Sequence, residues 1–233
     1  AYIEADLGGA TAAADKNSVT ALGGTLTAAN KVYGGKTEAV GKDAPVTAAA
    51  TANTVTLSAA APWQAVYGAD TYATAVNAAA TARTERNTVT ADAGTFLGQL
   101  YGGNSYASTN SAGSGTPGTA AAVTIGNTLN LAAAAVTNQE SYGGYASAGS
   151  TTGDVSLTVT QNKVLGTHGS TAEVDGAYGT LAQTAATTRT VTGTLTENTL
   201  TLTNGKAGSA YGGFLRLGKA FGAAELTAAK NSA

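Results

Sequence analysis

One pair of marks returns six times along this chain, and nothing constrains its fold more. Tyr-Gly occurs at Tyr33, Tyr67, Tyr101, Tyr142, Tyr178 and Tyr211, in steps of 34, 34, 41, 36 and 33 residues. An Asn followed two residues later by Val or Leu keeps pace with it, at Asn17, Asn53, Asn87, Asn127, Asn162 and Asn198. Each Asn precedes the next Tyr by 13 to 16 residues. Two motifs coupled at a nearly constant distance describe a repeat protein of about 36 residues per unit, with units beginning near 17, 53, 87, 127, 162 and 198. A seventh copy opens at Asn231 and is cut by the end of the chain, so residues 1–233 read as one array excerpted from a longer one.

Within a unit the hydrophobic pattern has a period of two. In "NTVTLS" (53–58), Thr54 and Thr56 alternate with Val55 and Leu57, and "TLTENTLTLTNG" (194–205) alternates more strongly. A second short strand ends in the Tyr-Gly motif, as in "QAVYG" (64–68), and a third precedes each Asn, as in "DVSLTVTQN" (154–162). Three strands and three corners per unit make one coil of a right-handed parallel β-helix, here about six coils. Coils stacked at the inter-strand spacing make a rod on the order of 29 Å long. "STNSAGSGTPGTA" (108–120) holds the extra residues of the longest unit and suits a surface loop.

Composition agrees where it bears on class. Charged residues are 11% and aromatics 6%. That is too few charges for an ordinary disordered tail, and Leu, Ile and Phe are too scarce for a conventional layered core. No Cys is present, which excludes a disulfide framework and thiolate metal sites. A net charge of −2 without a basic cluster argues against nucleic acid as a partner. No run of apolar residues is long enough to span a membrane as a helix.

The β-helix gives each mark a physical task. Asn17, Asn53, Asn87, Asn127, Asn162 and Asn198 stack at one corner as a structural ladder, each amide donating and accepting along it. The glycines after Tyr (Gly34, Gly68, Gly102, Gly143, Gly179 and Gly212) supply a positive φ at another corner, where a Cβ would clash. Gly68-Ala69 and Gly179-Thr180 keep only the first glycine, which makes the first position the stricter one. The six tyrosines form an aromatic ladder. Pointing inward they fill a wide corner; pointing outward they offer a surface for ligand stacking, for glycans for example.

These residues also carry a resemblance. Asn-Thr-Val-Thr, a Gly-rich turn and Val-Tyr-Gly-Gly resemble the passenger-domain repeats of large bacterial autotransporter adhesins, with "KNSVTALGGTLTAANKVYGGKTE" (16–38) the clearest copy. The likeness runs through all six units, and the copy at Asn162 departs most. It implies a non-enzymatic β-helical stalk, secreted or held at the bacterial cell surface. Such a stalk presents adhesion to a host or bacterial receptor or a glycan, or associates with its own kind. Its outer-membrane anchor would lie outside this chain.

Other functions can be weighed on residues. The acids are scattered; the nearest pairs, Glu4/Asp6 and Glu173/Asp175, read as solvated strand faces. His168, the single His, reads as a surface turn residue. No catalytic, metal or cofactor motif is present. Thr-x-Thr pairs raise an ice-binding alternative, with Thr54/Thr56, Thr88/Thr90 and Thr199/Thr201 following the repeat Asn, but Thr128/Asn130 and Lys163/Leu165 break that array. A passive structural fibre is the remaining alternative.

Overall fold

The computed structural model describes residues 2–5, 9–22, 31–58, 62–111, 118–137, 139–167, 173–183, 189–203 and 207–233. His168 and Asp6 lie outside them, as does the centre of the 108–120 loop. Every described regular element is a strand and every strand pair is parallel, stacked as a β-solenoid. No helix among the described residues is long and apolar enough to cross a membrane, which says nothing of β-barrels.

Three sheets run the length of the solenoid. Sheet A stacks Tyr2–Ala5, Lys31–Lys42, Ala65–Val76, Leu100–Asn110, Ser141–Ser150 and Glu173–Gln183, then Ser209–Tyr211 and Phe214–Lys219 together. Sheet B stacks Ala10–Asp15, Val46–Thr51, Ala80–Glu85, Ala120–Ile125, Val155–Thr160, Val191–Thr196 and Ala224–Ala229. Sheet C stacks Ser18–Ala21, Thr54–Leu57, Thr88–Phe96, Thr128–Thr137, Lys163–Gly166 and Thr199–Leu202, with Pro62–Trp63 alongside. The chain passes from B through C to A and back to B in each turn.

The corner from B to C is tight and chemically defined. The residue before each Asn is left-handed: Lys16, Ala52, Arg86, Gly126, Gln161, Glu197 and Lys230 have φ between 53° and 62°. Only one of the seven is a glycine. A single left-handed residue reverses the chain at modest cost, and the Asn ladder beside it supplies the compensating bonds.

Two cores fill the section. Between sheets A and B the inward columns are small: Ala12, Ala48, Ala82 and Ala122 face Ala39, Ala73, Ala107 and Ala148. Larger side chains take over further along, Leu157, Leu181 and Leu195 among them. Between sheets C and A lies a more conventional core with Leu57, Trp63, Phe96, Leu100 and Leu129. An Ala buries far less apolar area than a Leu, which contributes about 1.5–3 kcal/mol when fully buried. The Ala-rich lobe therefore depends on close sheet approach and on saturated backbone pairing more than on transfer of bulky side chains.

The sequence reading placed a strand ending at Tyr-Gly and a positive φ at the following glycines; both are corrected. The strand runs through the motif, as in Lys31–Lys42 and Leu100–Asn110. The described post-tyrosine glycines have no positive φ; Gly126 is the one described glycine that does. The glycines answer a different demand. A Cβ on Gly35 would sit 2.6 Å from Asn53 Nδ2, and one on Gly103 would sit 2.6 Å from Asn127 Cγ. A Cβ on the second glycine of a pair would thus point at the Asn ladder, and one on the first would meet the carbonyl of the glycine one turn on, as Gly102 would at Gly143 O. Two successive inward residues interrupt the alternation and bend the strand, leaving a waist between the two cores.

Candidate functional site

The ladder is continuous through the described chain. Asn17 Nδ2 donates to Asn53 Oδ1, and the chain of bonds continues through Asn87, Asn127, Asn162 and Asn198 to Asn231 at 2.8–3.0 Å. Each Oδ1 also accepts the backbone N–H of the preceding Asn, as Asn162 Oδ1 does from Asn127 N at 3.0 Å. The second amide hydrogen reaches a carbonyl in sheet B, for example from Asn87 to Ala50 O. Asn53, Asn87, Asn127, Asn162 and Asn198 are fully buried. The Asn162 copy, most divergent in sequence, is an ordinary rung. These residues carry the corner, with their amides spent on one another and on sheet B.

The tyrosines point outward. Val32, Val66, Leu100 and Val174 pack in the core of sheets C and A, so the next residue of each strand turns to the opposite face. Tyr33, Tyr67, Tyr101 and Tyr142 stack there, with ring centroids 4.9, 4.9 and 5.4 Å apart. Their faces cover one another, which buries Tyr101 and Tyr142 despite their outward direction.

The ladder then changes residue. Tyr142 pairs with Asp175, and Asp175 with Tyr211. Tyr178 instead pairs with Tyr145, three residues beyond the motif tyrosine, and stacks on it at 5.4 Å. Its glycine moves too: Gly176 stands between Gly143 and Gly212 in the close-approach column, whereas Gly179 faces Leu157 and Leu215. Tyr178 and Gly179 therefore leave the two columns assigned to them, because "VDGAYG" (174–179) contains two glycines and the first one meets the waist. The column remains all glycine: Gly34, Gly68, Gly102, Gly143, Gly176 and Gly212. The second position admits Ala69 and Ala177.

The pair Glu173/Asp175 is not a solvated face. Asp175 is completely buried, and neither carboxyl oxygen has a hydrogen-bond partner. Burial, then the adjacent Glu173 carboxyl, pushes its pKa well up. Asp70 is also buried; Asn104 Nδ2 donates to its Oδ1 at 2.8 Å, and burial pushes its pKa up to about 6.

Around this face the bent strand brings three outward columns together. Tyr101 meets Tyr145 edge-on at 5.7 Å, and Tyr72 lies 5.7 Å from Tyr106. The result is a groove of ≈ 580 Å³ lined by seven tyrosines: Tyr67, Tyr72, Tyr101, Tyr106, Tyr142, Tyr145 and Tyr178. Gln99, Asn104, Glu140 and Ser147 complete the lining. Tyr101 Oη donates to Gln99 Oε1, and Gln99 Nε2 donates to Glu140 Oε2. Burial raises the Tyr67, Tyr101 and Tyr142 phenols, and takes Tyr72 to about 12, so all remain neutral hydroxyls at physiological pH. Tyr106 presents the most open ring, 39% exposed. A second groove of ≈ 390 Å³ shares Tyr106 and Ser147 and extends across sheet A to Arg216. Both volumes fall in the range of ligand sites.

The sequence reading missed Asp70, Tyr72, Gln99, Asn104, Tyr106, Glu140 and Tyr145. A signal for two of them is present: a second Tyr five residues after the first in "YGADTY" (67–72) and "YGGNSY" (101–106). Among the described residues no cluster of His, Cys, Asp or Glu is arranged to hold a metal ion. No protein-family model, curated protein or solved structure matches the chain.

Proposed function

We propose that the chain is a non-enzymatic segment of a bacterial cell-surface or secreted β-solenoid adhesin, and that the tyrosine groove of sheet A is its recognition element for a glycan. The observation that carries this reading is the groove itself, with seven tyrosines in its lining. Exposed ring surface at Tyr106 suits the apolar face of a sugar ring, and the phenols, Gln99, Asn104 and Ser147 offer donors and acceptors for its hydroxyls. Support for placement at the surface is the resemblance of the repeats to autotransporter passenger regions.

The Thr columns give less support to ice binding. Thr54/Thr56 and Thr88/Thr90 are in register on sheet C, but Asn130, Lys163 and Leu165 occupy the same columns before Thr199/Thr201. The adhesin reading is tested by probing this segment against a glycan panel and intact cells, beside Tyr106→Ala. Saturable binding by the parent that the variant loses is the expected result. Silence on both would favour a passive fibre.

A further inference from the structure

The chain holds one of its own ammonium groups against the tyrosine ladder. Lys36 Nζ lies 5.1 Å from the centre of the Tyr33 ring, and its charge also acts on the buried Asp70 carboxyl. Lys36, Asp70, Asn104 and Tyr145 occupy one outward column, rung after rung. The first rung thus combines an aromatic face, a neighbouring carboxylate and a cation, the arrangement by which aromatic sites hold ammonium groups.

In the groove further along, the first two components persist and the third does not. Tyr106 supplies an open ring, and Glu140 supplies a carboxylate. Neither Lys nor Arg belongs to the lining, and the cation acting on it is Arg216, through Tyr145 at its edge. A second carboxyl lies behind it: Glu173 joins Glu140 in acting electrostatically on Tyr142. Ring quadrupoles and carboxylates both favour positive charge and repel anions, in a place where neighbouring side chains reduce solvent screening.

We propose that the ligand of this groove is a glycan bearing free amines, a hexosamine chain that stacks on the open Tyr106 ring and sets an ammonium against Glu140. The inference rests on the glycan-binding reading above. A sugar is favoured over a lysine-rich peptide because Gln99, Asn104, Ser147 and the phenols surround the site with partners for ring hydroxyls.

The test is calorimetric titration of this protein with a glucosamine tetramer and with its fully N-acetylated counterpart, in a mildly acidic buffer at low and at high salt. An ammonium–carboxylate pair at Glu140 predicts a preference of about tenfold for the free amine. Added salt should weaken that binding more than it weakens binding of the acetylated sugar. Glu140→Gln should remove most of the preference. The salt comparison on the parent decides the matter if that variant fails to fold. Equal affinity, or preference for the acetylated sugar, overturns the amine inference and leaves the glycan reading standing. If neither sugar binds, the amine inference is overturned and the glycan panel decides the glycan reading on its own, while oligolysine binding in that case assigns the groove to a basic peptide and overturns both.

Discussion

Asp175 stands beside Tyr142 in the parallel register of sheet A, at the place where the four preceding turns each put a tyrosine. A carboxyl there is fully buried and has no hydrogen-bond partner. Such a group belongs to the cost side of folding unless it keeps its proton.

Stability should accordingly fall as pH rises from the acid side. Asp70 and Asp175 both have raised folded-state pKa values, so the folded chain holds more protons than the unfolded one across that interval. When both states are protonated the carboxyls cost little; above the ordinary value of 3.8 the unfolded state ionises first and gains. For Asp70 the loss is complete above about 6 and amounts to roughly 3 kcal/mol at most. Asp175 extends the decline upward. Denaturant titrations at several pH values should show it, and Asp175→Asn should flatten the profile and raise neutral-pH stability. An unchanged profile in that variant would refute the assignment.

Removing a middle rung of the Asn ladder should be much worse than removing the first. Asn127 accepts from both the backbone and the amide of Asn87 and donates to Asn162, all fully buried. Asn127→Ala strands several buried groups and should cost about 3–5 kcal/mol. Asn17 is exposed, and Asn17→Ala should cost about 1 kcal/mol. Urea midpoints of the two variants give the comparison; equal costs would mean the ladder does not act as a buried unit.

A glycine contrast separates close approach from backbone freedom. A Cβ at Gly103 would lie 2.6 Å from Asn127 Cγ and 2.7 Å from Thr84 Oγ1, whereas the nearest atom to one at Gly149 is 3.8 Å away. Gly103→Ala should lose about 1–3 kcal/mol by overpacking. Gly149→Ala should be neutral or slightly stabilising through the unfolded chain. Thermal melts that rank the two in reverse would remove the waist as the reason for the motif.

Thermal hysteresis should be absent at micromolar concentration. In the two Thr columns of sheet C, Lys163 stands between Thr128 and Thr199, and Leu165 between Asn130 and Thr201. A nanolitre osmometer measurement settles the point, and clear hysteresis would replace the adhesin proposal with an ice-binding one.

Much of this was legible in the residues. The Asn column, the three strands per unit and their alternation follow from local spacing, since inward and outward positions on a strand are set by counting. Counting fails where the alternation breaks. The double glycine aims two successive residues inward, so positions beyond it change phase, and Tyr72, Tyr106 and Tyr145 join the groove from the stretch after the point where the strand was expected to end. The same break hid Asp175: "VDGAYG" offers two alignments, and only contact with the Thr199 backbone and the glycines of adjacent turns selects Gly176.

By itself, then, the sequence determined a parallel solenoid, its period and the amide ladder at one corner, because all three depend on near neighbours and on a repeat that pairs like with like. The tertiary structure alone decided which glycine meets the waist, which residue stands in each column, and that outward rings converge into a groove. Those outcomes turn on how closely the strand approaches a neighbouring turn, a distance set by packing between segments some 35 residues apart.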